Sequence, residues 1–198
     1  MTHGKQWPLL AARGFHDMFA GTWIESDDPD EIARLLGSDP ATAAPCGLEE
    51  AMREYEPYAF RELVWLGEHS SGWIHAVTIA GPRLRTDLLA AAGRRFVQVV
   101  WEPHGLGVHD LYYSDGTAAG RCSPVDIADP GWPFHEYTEG LVPRRPDLID
   151  VFSAGPAEPV GSLGLWLENW LILAGRVSGR LIDEQYLDAT RRLYSVPI

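Results

Sequence analysis

The chain has 198 residues, 45% hydrophobic and 22% charged, an ordinary globular composition and long enough for one well-formed core. Its formal net charge is −12, from 28 acidic and 16 basic side chains, which repels phosphate backbones and argues against nonspecific nucleic-acid binding. The two cysteines, Cys46 and Cys122, have neither a disulfide framework nor a metal-ligand spacing and read as free thiols.

Residues 1–20 begin polar and turn mixed around Trp7, Leu9, Leu10, Phe15 and Phe19, which predicts an arm or a short helix. Lys5 is followed only by WPLLAA before Arg13. That stretch is too short for a signal-peptide core, so a cytoplasmic location is expected. Phe19 to Glu25 reads as a strand. Asp28, Pro29 and Glu31 then have N-cap, N1 and N3 spacing, opening a helix that Gly37 ends. Ser38 to Gly47 reads as a loop, and Leu48 to Glu54 as a short helix stopped before Pro57.

Arg61 to Glu68 and Gly72 to Ala80 read as paired strands around His69-Ser70-Ser71-Gly72. Period-two alternation puts Trp73, His75, Val77 and Ile79 on one face. Leu84 to Ala92 is amphipathic, and Arg95 to Glu102 is a strongly β-prone central strand. Val108 to Ser114 and Thr117 to Ser123 flank Asp115-Gly116, the clearest hairpin signal in the chain. Residues 126–146 are rich in Pro, Gly and aromatics and read as an ordered loop. The longest apolar run, Val160 to Ser178, reads as a helix buried on most sides. In it Leu163, Trp166, Leu167, Trp170, Leu171 and Ala174 share one face. Glu168, Asn169 and Arg176 within the run argue against a membrane span. A last helix is expected from Glu184 to Leu193, capped by Asp183. The order of elements predicts one α+β domain over residues 1–198, with a largely antiparallel sheet of five or six strands packed against helices around that buried helix.

Thr22 to Pro40 (TWIESDDPDEIARLLGSDP) resembles a family of small acidic actinobacterial proteins of unknown function, which open with an aromatic strand and a helix ending Leu-Gly-x-Asp-Pro. The likeness continues at Gly72-Trp73, at FVQVVW (Phe96 to Trp101) with its Asp115-Gly116 hairpin, and at LAGRVSGRLIDEQYLD (Leu173 to Asp188). The arm before Gly21 and the segment from Asp126 to Pro143 depart from the pattern. The family has no assigned activity, so the resemblance implies no catalytic residues.

Local signals for chemistry are sparse. The sequence lacks a phosphate loop, a dinucleotide fingerprint and a nucleophile elbow. The run Glu25, Asp27, Asp28, Asp30, Glu31 lacks EF-hand spacing, and helix capping accounts for it. Arg83, Arg85, Arg94 and Arg95 flank a helix and read as solvated helix ends. Arg121 beside Cys122 is a cationic neighbour that would activate a thiol, but no local histidine would serve as base. His75, His104 and His109 lack helical ligand spacing, so neither a metal nor a cofactor is expected.

Two site expectations follow. Trp132, Phe134, His135 and Tyr137 form the strongest candidate surface for a protein partner or for self-association, which makes a non-enzymatic interaction module the first functional expectation. The alternative is a small-molecule-binding protein or enzyme with a pocket beside the sheet, using His75, His109 and Asp110.

Overall fold

A computed structural model describes residues 5–102, 111–123, 129–141 and 162–197. Its centre is one open sheet of eight strands: β1 (Phe19–Glu25), β2 (Ala44–Cys46), β3 (Glu62–Ser70), β4 (Trp73–Ala80), β5 (Arg95–Trp101), β6 (Leu111–Asp115), β7 (Ala119–Cys122) and β8 (Arg191–Val196). They lie in the order β2-β8-β3-β4-β1-β5-β6-β7, and every neighbouring pair is antiparallel. The α+β class therefore holds, while the strand count exceeds the expected five or six. The two extra strands are β2, inside the expected loop, and β8, where the sequence predicts the end of a helix.

The physical reason for β8 is tertiary. The final helix stops at Leu187 after one turn, although Asp183 caps it as expected by accepting from the Tyr186 amide. The chain then pairs with β3 over five positions, Glu62↔Val196 to Leu66↔Arg192. Local periodicity at Tyr186, Leu187, Thr190 and Leu193 competes there with a ladder to a strand about 130 residues earlier, and the ladder wins.

Helices cover both faces of the sheet. On the first face, Trp23, Trp65, Trp73, Val77, Val97, Val99 and Trp101 pack against α1 (Gln6–Ala12), α3 (Leu48–Ala51), α5 (Ser162–Val177) and α6 (Glu184–Leu187). On the second, Ile24, Val64, Leu66, Ile74, Ala76, Phe96 and Tyr194 pack against α2 (Pro29–Leu35) and α4 (Thr86–Ala91). Alternation along each strand sends adjacent residues to opposite clusters. Among the described residues, no helix is long and apolar enough to cross a membrane.

Several polar residues are explained by what they join. Asp28 caps α2 by accepting from the Asp30 and Glu31 amides. Asp115 closes the β6–β7 hairpin by accepting from Thr117 N at 2.8 Å and Ala118 N at 2.7 Å. Glu168, polar in the middle of α5, accepts from Gln6 N at 2.6 Å and Trp7 N at 2.9 Å, which satisfies orphan amides at the start of α1. The Gln6 side chain exchanges two hydrogen bonds with the Ile182 backbone. The N-terminal arm is thus a short helix tied into the first face, with Leu10 fully buried. Gly21 is required by close approach: a Cβ there would sit 2.6 Å from Phe19 Cζ and 2.7 Å from His75 Nε2. Cys46 and Cys122 are buried on opposite edge strands and share no disulfide.

Candidate functional site

Trp132 and Phe134 are 7% and 0% exposed. Both meet Tyr113 edge to face, at 5.8 and 5.9 Å between ring centres, and the Arg95 guanidinium lies 5.2 Å from the Phe134 ring centre. His135 and Tyr137 bound a single 3-10 turn and are half-buried. Arg176 of α5 donates to the Tyr137 and Glu139 carbonyls at 2.8 and 2.7 Å. The two most buried rings of this segment therefore pack into the first face.

His75 also lies in that face, fully buried, while His109 and Asp110 fall outside the described residues. Around His75 the strands and α6 assemble a compact ring cluster. Trp23 stacks on His75 at 4.0 Å with 15° between planes. The Tyr186 hydroxyl is 2.9 Å from His75 Nδ1, and the His69 ring centre is 4.8 Å from that of Tyr186. His75 Nε2 and His69 Nδ1 are buried without a hydrogen-bond partner. Burial pushes the His69 imidazole down to about 4 and the His75 imidazole well below its usual value, with His69 and Arg191 adding to the latter. Burial also raises the Tyr186 phenol. Two neutral imidazoles and a neutral phenol therefore sit against tryptophan at neutral pH. The sequence placed His75 on one face with Trp73, Val77 and Ile79, and the structure shows that face to be buried; it assigned His69 to a turn.

The other expected features disperse. Arg85 pairs with Asp87, Arg94 pairs with Glu31, and Arg95 turns into the first face. These arginines therefore form no shared basic patch. Cys122 and Arg121 project to opposite faces of β7. The buried thiol is 3.4 Å from the Ser123 carbonyl, and Arg121 lines the second face. Among the described residues, no group of three or more His, Cys, Asp or Glu side chains has metal-holding geometry.

A concave site does lie beside the sheet, on the second face. Neither α2 nor α4 reaches the end where β1 begins and β5 finishes, and there Met18, Ala20 and Val100 form a small separate cluster with Tyr112 against it. Pro57 to Phe60, Pro82 and Arg83 stand around this floor and enclose a groove of about 610 Å³. The walls are mostly apolar, and Arg83, Glu102 and Arg121 are its charged groups. The Arg83 guanidinium lies 4.2 Å from the Tyr112 ring centre, a cation–π distance. Burial and neighbouring Glu102 raise the Tyr58 phenol, so it stays a hydrogen-bond donor at neutral pH. Tyr58 is 57% exposed, and Phe60 at 101% is wholly in solvent. The sequence signal for this groove was the pair of aromatics in the turn-rich PYAF segment. Its floor residues are ordinary strand positions with no local signature.

No protein-family model, curated protein or solved structure matches this chain, so the chemistry of the site rests on its own residues.

Proposed function

We propose that this protein binds a small, largely apolar molecule with one polar end in the groove between Tyr58, Phe60, Arg83, Val100 and Tyr112. One observation carries the reading: a pocket of about 610 Å³ floored by Met18, Val100 and Tyr112, at the end of the second face that α2 and α4 leave open. That volume lies in the range typical of small-molecule sites, and apolar walls with a few convergent polar groups are their usual make-up. Val100 and Tyr112 offer flat apolar contact, while Arg83 and the Tyr58 hydroxyl are placed to orient a polar end. This reading takes up the alternative of a pocket beside the sheet but builds it from other residues, on the face opposite His75.

Anilinonaphthalene sulfonate, an apolar ring system with one anionic group, tests this directly. The folded protein should give a saturable fluorescence rise, and Tyr112→Ala or Val100→Arg should weaken binding by about tenfold. Probe binding that both variants leave unchanged would remove the assignment. Native mass spectrometry of protein purified gently from its own host should show a small added mass.

A second reading, a non-enzymatic module that docks a protein partner or a second copy, is favoured by Phe60. A fully exposed phenylalanine at the rim of an apolar groove is the form of an interface anchor. A concentration-dependent dimer or a co-purifying chain, abolished by Phe60→Ser, would shift the assignment to that reading. The succession of motifs from Thr22 to Asp188 supports membership of the small acidic actinobacterial family, whose members offer no activity to carry over.

A further inference from the structure

We propose that a second cavity, on the first face beneath Arg191 and His69, binds a small oxyanion that keeps a proton, of which a phosphate group is the simplest example. This cavity has a volume of about 330 Å³ and is lined by Glu68, His69, Ser70, Arg180, Gln185 and Arg191, among others. Two side chains of this cavity, Arg191 and His69, each keep one buried nitrogen without a hydrogen-bond partner.

The first is Arg191. Successive residues of β8 face opposite sides of the sheet, which separates two adjacent arginines. Arg192 finds Asp30 at 2.6 Å. Arg191 turns into the first face, where its guanidinium lies 4.9 Å from the Tyr186 ring centre and 6.0 Å from that of Trp65. Its Nε is buried without a hydrogen-bond partner, and no ion pair joins it to a carboxylate among the described residues. Arg180, by contrast, is held by both oxygens of Asp183. The position of Arg191 is built in by Gly67, because any Cβ there would collide with the Arg191 stem.

The second is His69, which is 1% exposed. Its Nε2 lies 2.8 Å from the Arg180 carbonyl oxygen and 3.3 Å from the Trp23 indole nitrogen, whose ring stands at 84° to the imidazole. The carbonyl contact is the shorter and offers only an acceptor, so Nε2 carries the proton and donates to Arg180. Nδ1 is then a bare acceptor, buried and without a partner. The low imidazole pKa keeps it neutral at neutral pH. Among the described residues, a cation without a carboxylate and an acceptor without a donor thus line one cavity. An oxyanion that still bears a proton answers both, giving oxygens to Arg191 and its O–H to His69 Nδ1. A fully deprotonated anion satisfies only the arginine and sets its lone pairs against the imidazole. Glu68 stands exposed at the rim and disfavours more highly charged anions.

Isothermal titration calorimetry of the full chain with inorganic phosphate and with sulfate at neutral pH separates these cases, since hydrogen phosphate has a proton to donate and sulfate has none. Saturable phosphate binding about tenfold tighter than sulfate binding is expected, and Arg191→Gln should weaken phosphate by a similar factor. Gly67→Ala should act in the same direction by displacing the arginine stem. Equal affinity for the two anions, or no saturable phosphate binding at millimolar concentration, overturns the proposal. That comparison uses the wild-type chain and stands even where a variant fails to fold.

Discussion

The two faces of the sheet share their strands yet end in different conditions. On the first face, α5, α1 and α6 close over tryptophans, histidines and Tyr186, with a small cavity at the β3–β8 end. On the second, α2 and α4 cover one end, and Val100 and Tyr112 at the other end floor an open groove. Strand chemistry alone does not separate them, since Val99 and Val100 are neighbours in one strand. The difference comes from which helices reach which end of the sheet.

The largest expected effect lies on the closed face. Trp170, 1% exposed, fills the layer between α5 and the sheet. Trp170→Ala should cost about 3–5 kcal/mol in denaturant unfolding; a loss below about 1 kcal/mol would show that this face is not the main source of stability.

Acid tests the same face through its imidazoles. His69 falls from 6.5 to about 4 on folding, so between those values the unfolded chain binds more protons and stability drops as pH falls. The contribution is complete above 6.5 and amounts to about 3 kcal/mol. His75 acts in the same direction. His69→Gln should flatten the slope of stability against pH in this window, read by thermal melts across the range. An unchanged slope would mean that the imidazole is hydrated.

The second face carries the opposite slope. Glu62, 1% exposed and with one carboxylate oxygen unpartnered, is raised by burial from 4.5 to about 7 despite the nearby Arg85. Between those values the native state binds more protons, so stability is lost as pH rises, by about 3 kcal/mol in all. Glu62→Gln should match wild type below pH 4.5 and be the more stable of the two above neutrality. The smallest effect is expected at the groove rim, where Phe60→Ser should change stability by no more than about 0.5 kcal/mol. A larger loss would mean that Phe60 is covered in solution and that the groove is closed.

Much of the scaffold was legible because its signals are local. Asp28-Pro29, Asp115-Gly116 and Asp183 each do what their side chains and spacing imply, and β1, β3, β4 and β5 lie close to where their β-prone runs put them. The sites were far less legible. His75 was placed correctly on the same face as Trp73 and Val77, but Tyr186 comes to it from a different element more than 100 residues later. His69 and Arg191 gave no local pattern. Trp132 and Phe134 drew attention as aromatics in a loop, and aromatic content does not say whether a ring faces solvent or the core.

By itself the sequence determined the α+β class, the helix caps, the hairpins and the buried character of α5, because these depend on side-chain periodicity and short-range hydrogen bonds. The tertiary structure decided the rest. It drew β8 between β2 and β3, because a ladder to Glu62–Leu66 outweighed a weak local helical stripe. It sent Arg191 and Arg192 to opposite faces, one with a carboxylate and one without. It also docked α2 and α4 away from the end of the sheet around Val100 and Tyr112, since where a helix docks depends on contacts between residues far apart in the chain.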